Sequence, residues 1–180
     1  ATVAWAAIYQ WYGPYLPAIA VVETTLNRPD LDPRSRLELM ETLCGLHADA
    51  DQRMQATARA KECLDLARML NNKAAEGRAL STYTSHQRRE IGVDDASSNF
   101  RKALGMLRDS GDIRGEVETL HRLGSVYMST GNPSAAESLA GELLNKSRAM
   151  GCMWQEARSL RFHATWAMQT GDFDLAESDL

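Results

Sequence analysis

The chain repeats itself every 40 residues, and that period restricts it to a small set of architectures. The stretches "YMSTGNPSAAESL" from Tyr127 and "AMQTGDFDLAESDL" from Ala167 share a Thr-Gly turn, with Ala-Glu-Ser beginning five residues after the Gly. Gly131 and Gly171 are 40 apart, as are Ala136 and Ala176. The same shift aligns Ala56, Ala96, Ala136 and Ala176, with Ala18 preceding them after a spacing of 38. It also aligns Glu76, Glu116 and Glu156; Met40, Leu80, Leu120 and Leu160; and Asn71, Gly111 and Gly151. Self-similarity at such a period is the mark of a repeat architecture, in which one small supersecondary unit recurs.

Each period divides into two helical patterns. From Gly115 to Ser129, Val117, Leu120, Leu123, Gly124 and Tyr127 fall on one stripe with helical spacing. Gly131-Asn132-Pro133 breaks the pattern, with Pro in the first turn of the next helix, where its missing N–H costs least. That second helix carries Ala136, Leu139, Ala140, Leu143 and Leu144 and ends near Gly151. Two antiparallel helices per period can bury their apolar stripes on neighbouring copies. Cys44, Thr84, Gly124 and Ala164 occupy equivalent first-helix positions and are all small. Close backbone crossing explains such a column, since overpacking it costs about 1–3 kcal/mol.

"LHRLGSVYMSTGNPSAAESL" resembles a tetratricopeptide repeat: Leu123-Gly124, Tyr127, Gly131-Asn132 and Ala136 match its pattern, and Gly171-Asp172-Phe173 with Ala176 match its turn. The 40-residue period is similar to the longer-helix variant of kinesin light chains and of the sensor regions of bacterial regulators. The resemblance implies an all-α, right-handed superhelical α-solenoid of antiparallel helix pairs. A single array over 1–180 is expected: a partial repeat at 1–31, then 32–72, 73–112, 113–152 and a truncated 153–180. The third of these departs from the pattern, with Thr84 for Gly, Gln87 for Tyr and Gly92 one place late. The N-terminal "WAAIYQWYGPYLPAIA" fits only as a remnant, whose Trp5, Tyr9, Trp11, Tyr12 and Tyr15 read as end packing or as a ligand-stacking box. Without an initiator Met, and with Leu180 inside an apolar-periodic segment, the sequence is expected to be a piece of a longer protein.

Composition narrows the function. The chain is 44% hydrophobic and 24% charged, which argues against disorder, and its net charge of −4 argues against a bulk electrostatic nucleic-acid binder. The apolar stretch from Tyr15 to Val22 is far short of the roughly 20 residues that span a bilayer. Three cysteines without CxxC spacing (Cys44, Cys63, Cys152) suggest reduced thiols in a cytoplasmic protein. Cys44 and Cys63 fall in facing small-residue columns, which permits a redox pair but fits packing better.

No catalytic or metal constellation emerges. His47, His86, His121 and His163 are scattered, and neither HExxH, GxxxxGK[ST] nor GxGxxG occurs. The expectation is therefore a non-catalytic protein without cofactor or metal. In tetratricopeptide arrays the first helix of each pair lines the concave face. The resemblance thus implies a ligand-binding set of Arg78, Ser85, Arg88 and Arg89, then His121, Arg122 and Ser125, then Arg158, Arg161 and Thr165. Ser81, Glu118, Met128, Met168 and Gln169 face the same way, with Glu38, Glu41 and Asp49 in the first full repeat. Arginine forks match the two oxygens of a carboxylate or phosphate, so an acidic protein or peptide segment is the expected partner. The function so implied is a scaffold in the sensor region of a larger bacterial transcriptional regulator. An anionic small-molecule sensor and a self-association module forming a homodimer are the alternatives.

Overall fold

A computed structural model describes residues 15–179. Among them are nine α-helices and no strand: α1 (Tyr15–Leu26), α2 (Pro33–Asp49), α3 (Arg53–Met69), α4 (Lys73–Ile91), α5 (Val93–Ser110), α6 (Ile113–Ser129), α7 (Pro133–Ala149), α8 (Met153–Thr170) and α9 (Phe173–Ser178). The N-terminal reading of Trp5, Tyr9, Trp11 and Tyr12 lies outside the described residues. The helices group into two compact units that divide between Glu90 and Ile91.

Why the helices stop where they do follows from one backbone position. Asp51, Asn71, Gly111, Gly131, Gly151 and Gly171 all have positive φ, at a spacing of 20 residues except for the 40 between Asn71 and Gly111. Each is followed by a residue whose N–H returns to a carbonyl five positions earlier where such bonds form, as in Gln52 to His47 (2.8 Å), Asn72 to Ala67 (3.0 Å) and Asn132 to Tyr127 (3.0 Å). This is the Schellman closure, in which a left-handed residue turns the chain and satisfies the last carbonyls of the helix. At four of these six turns the side chain of the following residue caps the next helix: Asn72 Oδ1 accepts from Ala75 N (3.1 Å), Asp112 Oδ1 from Gly115 N (2.9 Å), Asn132 Oδ1 from Ala135 N (3.1 Å) and Asp172 Oδ1 from Leu175 N (3.1 Å). Two residues therefore end one helix and start the next. Between α4 and α5 the turn shrinks to Gly92 alone, at φ 83°, because α4 continues through Ile91.

In the first unit α1 packs on α2, and α2 on α3. Ala18, Ile19 and Val22 meet Leu39, Leu43 and Leu46, while Cys44 meets Ala56 and Ala60 with Tyr83 alongside. In the second unit α5 through α9 pack each on the next. Its core joins Phe100, Leu104, Val117, Leu120, Leu123, Val126, Ala136, Ala140, Leu143 and Phe162. The aligned alanines Ala18, Ala56, Ala96, Ala136 and Ala176 are all buried, as are Cys44, Thr84 and Ala164 in the small column. At Gly124 the reason for smallness is explicit: a Cβ there would run into the Phe162 ring.

A second recurrent device ties each helix pair to the next within its unit. Arg68 lies 3.2 Å from Glu76, Arg108 3.7 Å from Glu116 and Arg148 3.1 Å from Glu156, always eight residues apart across the turn. Lys73 (2.9 Å) and Lys146 (2.7 Å) reinforce the first two. The glutamate column seen in the sequence is thus the acidic half of an ion-pair series.

Three glycine substitutions separate the effects. Gly124→Ala is expected to lose about 1–3 kcal/mol by overpacking. Gly131→Ala, in open space at φ 67°, should lose about 1–2 kcal/mol through its backbone alone. Gly141→Ala, inside α7 with free space around it, should gain about 0.5–1 kcal/mol. Urea denaturation of the three variants checks the ranking; equal effects at Gly124 and Gly141 would remove the steric account.

Candidate functional site

The expected ligand-binding residues lie on α4, α6 and α8, and each unit supplies a distinct arrangement. In the first unit Arg78 of α4 reaches Glu41 of α2 with two parallel bonds, Nε to Oε1 at 3.0 Å and Nη2 to Oε2 at 3.2 Å. This fork is already filled by a carboxylate. Ser85 is half-buried, and Arg88 and Arg89 are exposed in the last turn of α4, where positive charge complements the helix dipole.

The second unit brings more of the set together. Arg158 Nη1 of α8 donates to Glu118 Oε2 of α6 at 2.7 Å, and Gln155 Nε2 donates to Glu118 Oε1 at 2.7 Å. Arg158 Nη2 also donates to His121 Nδ1 at 3.2 Å, which leaves the ring proton on Nε2. The His121 ring sits 5.5 Å from that of Phe162, tilted by 53°. Arg122 is half-buried beside this group, and Arg161 is exposed. Among the described residues Arg88, Arg89 and Arg161 form no ion pair. Ser125 and Thr165 donate to carbonyls of their own helices, His121 O at 2.8 Å and Arg161 O at 2.7 Å. Their hydroxyls keep acceptor capacity but no free donor.

The electrostatics follow from burial and from three guanidinium groups. Burial drives the His121 pKa down to about 4, helped first by the charge of Arg158; Glu118 pulls the other way, and Arg161 and Arg122 add smaller depressions. Burial alone would raise the Glu118 carboxyl; the Arg158 charge and hydrogen bond, then Gln155 and Arg122, outweigh it and hold Glu118 below its ordinary value. At neutral pH the group is a carboxylate, an uncharged imidazole and three guanidinium cations.

Gln155 was not among the expected residues. Its signal is visible in hindsight: Ser35, Ala75, Gly115 and Gln155 share one column, and only the last is long and polar. The Glu118–Arg158 pairing also had a signal, in the alternation Glu38, Arg78, Glu118, Arg158.

Other chemistry is sparse. Among the described residues no three His, Cys, Asp or Glu groups are arranged to hold a metal ion, and no helix is long and apolar enough to cross a membrane. Cys44 and Cys63 are both buried and neither is in a disulfide, and Cys44 Sγ donates to Ala56 O at 3.2 Å. Burial, and to a lesser degree the neighbouring Cys44, pushes the Cys63 thiol far up, which disfavours the reactive thiolate. His163 Nδ1 meets Asp179 Oδ2 at 2.5 Å beside Trp166, tying the end of α9 to α8. A cleft of about 520 Å³ opens in the first unit between α1, α2 and α3, lined by Glu23, Leu26, Asn27, Arg36, Met40, Arg59, Glu62 and Leu66. None of the expected ligand-binding residues lines it.

The helix pairs and their closures define the class: the chain has the all-α fold of tetratricopeptide-repeat proteins. A signal-transduction ATPase of Pyrococcus horikoshii with a tetratricopeptide-repeat sensor superimposes with a TM-score of 0.75 at 20% identity, over 99% of this chain and 28% of that one. The apo form of RapI does so with a TM-score of 0.78 at 12% identity, over 99% and 50%. In sequence the chain is 29% identical over 110 residues to the regulatory protein AfsR of Streptomyces griseus, a match covering 61% of this chain and 11% of that protein. The chain therefore aligns with only a small part of that regulator. No protein-family profile matches the sequence.

His121 makes the site's charge readable through stability. Below pH 6.5 the unfolded chain takes up a proton on His121 that the folded chain refuses until about pH 4. Stability is therefore lost as pH falls through that window, and Glu118 adds a further loss below its ordinary carboxylate pKa as its depressed folded value is approached. His121→Gln should flatten the dependence of the melting temperature on pH between 6.5 and 4. Parallel slopes for variant and parent would show that His121 titrates normally.

Proposed function

We propose that this chain is a non-catalytic interaction module of a larger bacterial regulator, which acts in the cytoplasm and captures an acidic protein or peptide segment on the face of α6 and α8. The observation that carries this reading is the grouping of Arg122, Arg158 and Arg161 around an uncharged His121, with Glu118 the carboxylate that pairs with Arg158. Arg161 is exposed and makes no ion pair among the described residues, so it adds positive charge beside the Glu118–Arg158 pair on a chain whose net charge is −4. Planar forks prefer paired oxygens, so a segment bearing Asp or Glu side chains is the matching ligand. The similarity to a regulatory protein and to a tetratricopeptide-repeat sensor supports a role in recognition within a signalling protein. Open helical faces of this type suit segment capture.

Fluorescence anisotropy with a fluorescein-labelled hexaglutamate peptide tests the reading, with hexalysine as the control. Hexaglutamate should bind, and weaken when salt is raised from about 50 mM to about 500 mM, as screening requires. The double variant Arg122→Gln, Arg161→Gln should weaken it by about tenfold or more. Equal binding of the two peptides, or an unaffected double variant, would remove α6 and α8 as the acidic-segment site.

A further inference from the structure

We infer that Gln155, Arg158 and His121 form a carboxylate seat that Glu118 occupies in the free protein, and that an acidic partner engages the site by displacing Glu118. This inference rests on the binding reading above and concerns how the same site is regulated. Each Glu118 oxygen receives its own donor at 2.7 Å, one from Gln155 and one from Arg158. His121 steadies the far side of the Arg158 fork at 3.2 Å, so the guanidinium is oriented before any ligand arrives. A neutral amide, a cation and an imidazole acceptor converging in this way make a pre-organised receptor for one carboxylate.

Glu118 is suited to leave. Its side chain keeps 28% exposure and that of Arg158 25%, so both can be solvated once they part. An incoming carboxylate would take over the same two donors, so the exchange replaces one ion pair with another of the same kind. Arg161, exposed and without an ion pair among the described residues, lies near the seat and adds attraction that Glu118 does not satisfy. The resident glutamate therefore sets a threshold: a lone carboxylate competes poorly, whereas a segment with several acidic side chains can take the seat and reach Arg161 as well.

The hexaglutamate titration separates this inference from the reading it rests on. Glu118→Gln removes the resident charge and should tighten binding by about tenfold. Glu118→Asp keeps the charge but shortens its reach to both donors, and should tighten binding by about threefold. Glu137→Gln, an exposed change on α7, removes the same charge away from the seat and should stay within about twofold. Circular dichroism melts confirm that each variant is folded, and the aspartate variant carries the test should the glutamine variant unfold. If the parent binds while both Glu118 variants bind no more tightly, displacement is wrong and the acidic-segment site stands. If neither the parent nor any variant binds hexaglutamate, the site reading fails and the displacement inference with it.

Discussion

A reversal of chain direction in two residues is the constraint on which most of this structure depends. The first residue must adopt a left-handed backbone, and the second must cap a new helix with its side chain or backbone. Fixing those two roles at a spacing of 20 sets helix length at about 17 residues, and helix length in turn sets which side chains meet on adjacent helices. Asp51 and Asn71 show that the backbone requirement outranks residue identity, because both hold positive φ without being glycine. Asn and Asp tolerate that region better than other side chains, which is why the turn survives the substitution. The α4–α5 connection shows the converse. Where the left-handed residue is Gly92 instead of residue 91, α4 lengthens to 19 residues and the turn loses its second position.

Helix spacing fixed in this way leaves little room where the helices cross. Gly124 faces Phe162 so closely that even a methyl group collides, and the alanine column is buried throughout the described repeats. These features were legible in the sequence because packing volume imposes a strict periodic demand. Thr84, an apparent departure from the glycine pattern, obeys the same rule: it is small and fully buried. Fold class and helix positions could thus be read from spacing, since each residue's role depends on its place in its own repeat.

Side-chain pairing was less legible, because it depends on two repeats at once and on rotamer reach. The glutamate column at 76, 116 and 156 was evident, but its partners Arg68, Arg108 and Arg148 belong to the preceding helix and to a different column. On α2, α4, α6 and α8 the offsets are irregular as well. Arg78 meets Glu41 at a separation of 37, Arg158 meets Glu118 at 40, and Gln155 meets Glu118 at 37. A long side chain can reach either of two neighbours one helical turn apart, so a strict 40-residue shift finds only part of the network.

That dependence changes what an arginine on such a face means. Counted from the sequence alone, Arg78 and Arg158 look equivalent to Arg122 and Arg161 as anion receptors. In the structure Arg78 and Arg158 each hold a glutamate of a neighbouring helix, whereas Arg161 is exposed and unpaired among the described residues. The charge left on these helices is set by mismatches between successive repeats: an arginine whose neighbour supplies Glu is internally balanced, and one whose neighbour supplies His is not. His121 stands one period before Arg161, and burial keeps it uncharged, so it neither cancels nor repels that guanidinium strongly. A neutral His121 also accepts from Arg158 and points the fork at Glu118. One histidine thereby does two jobs, leaving positive charge at Arg161 while ordering the ion pair beside it.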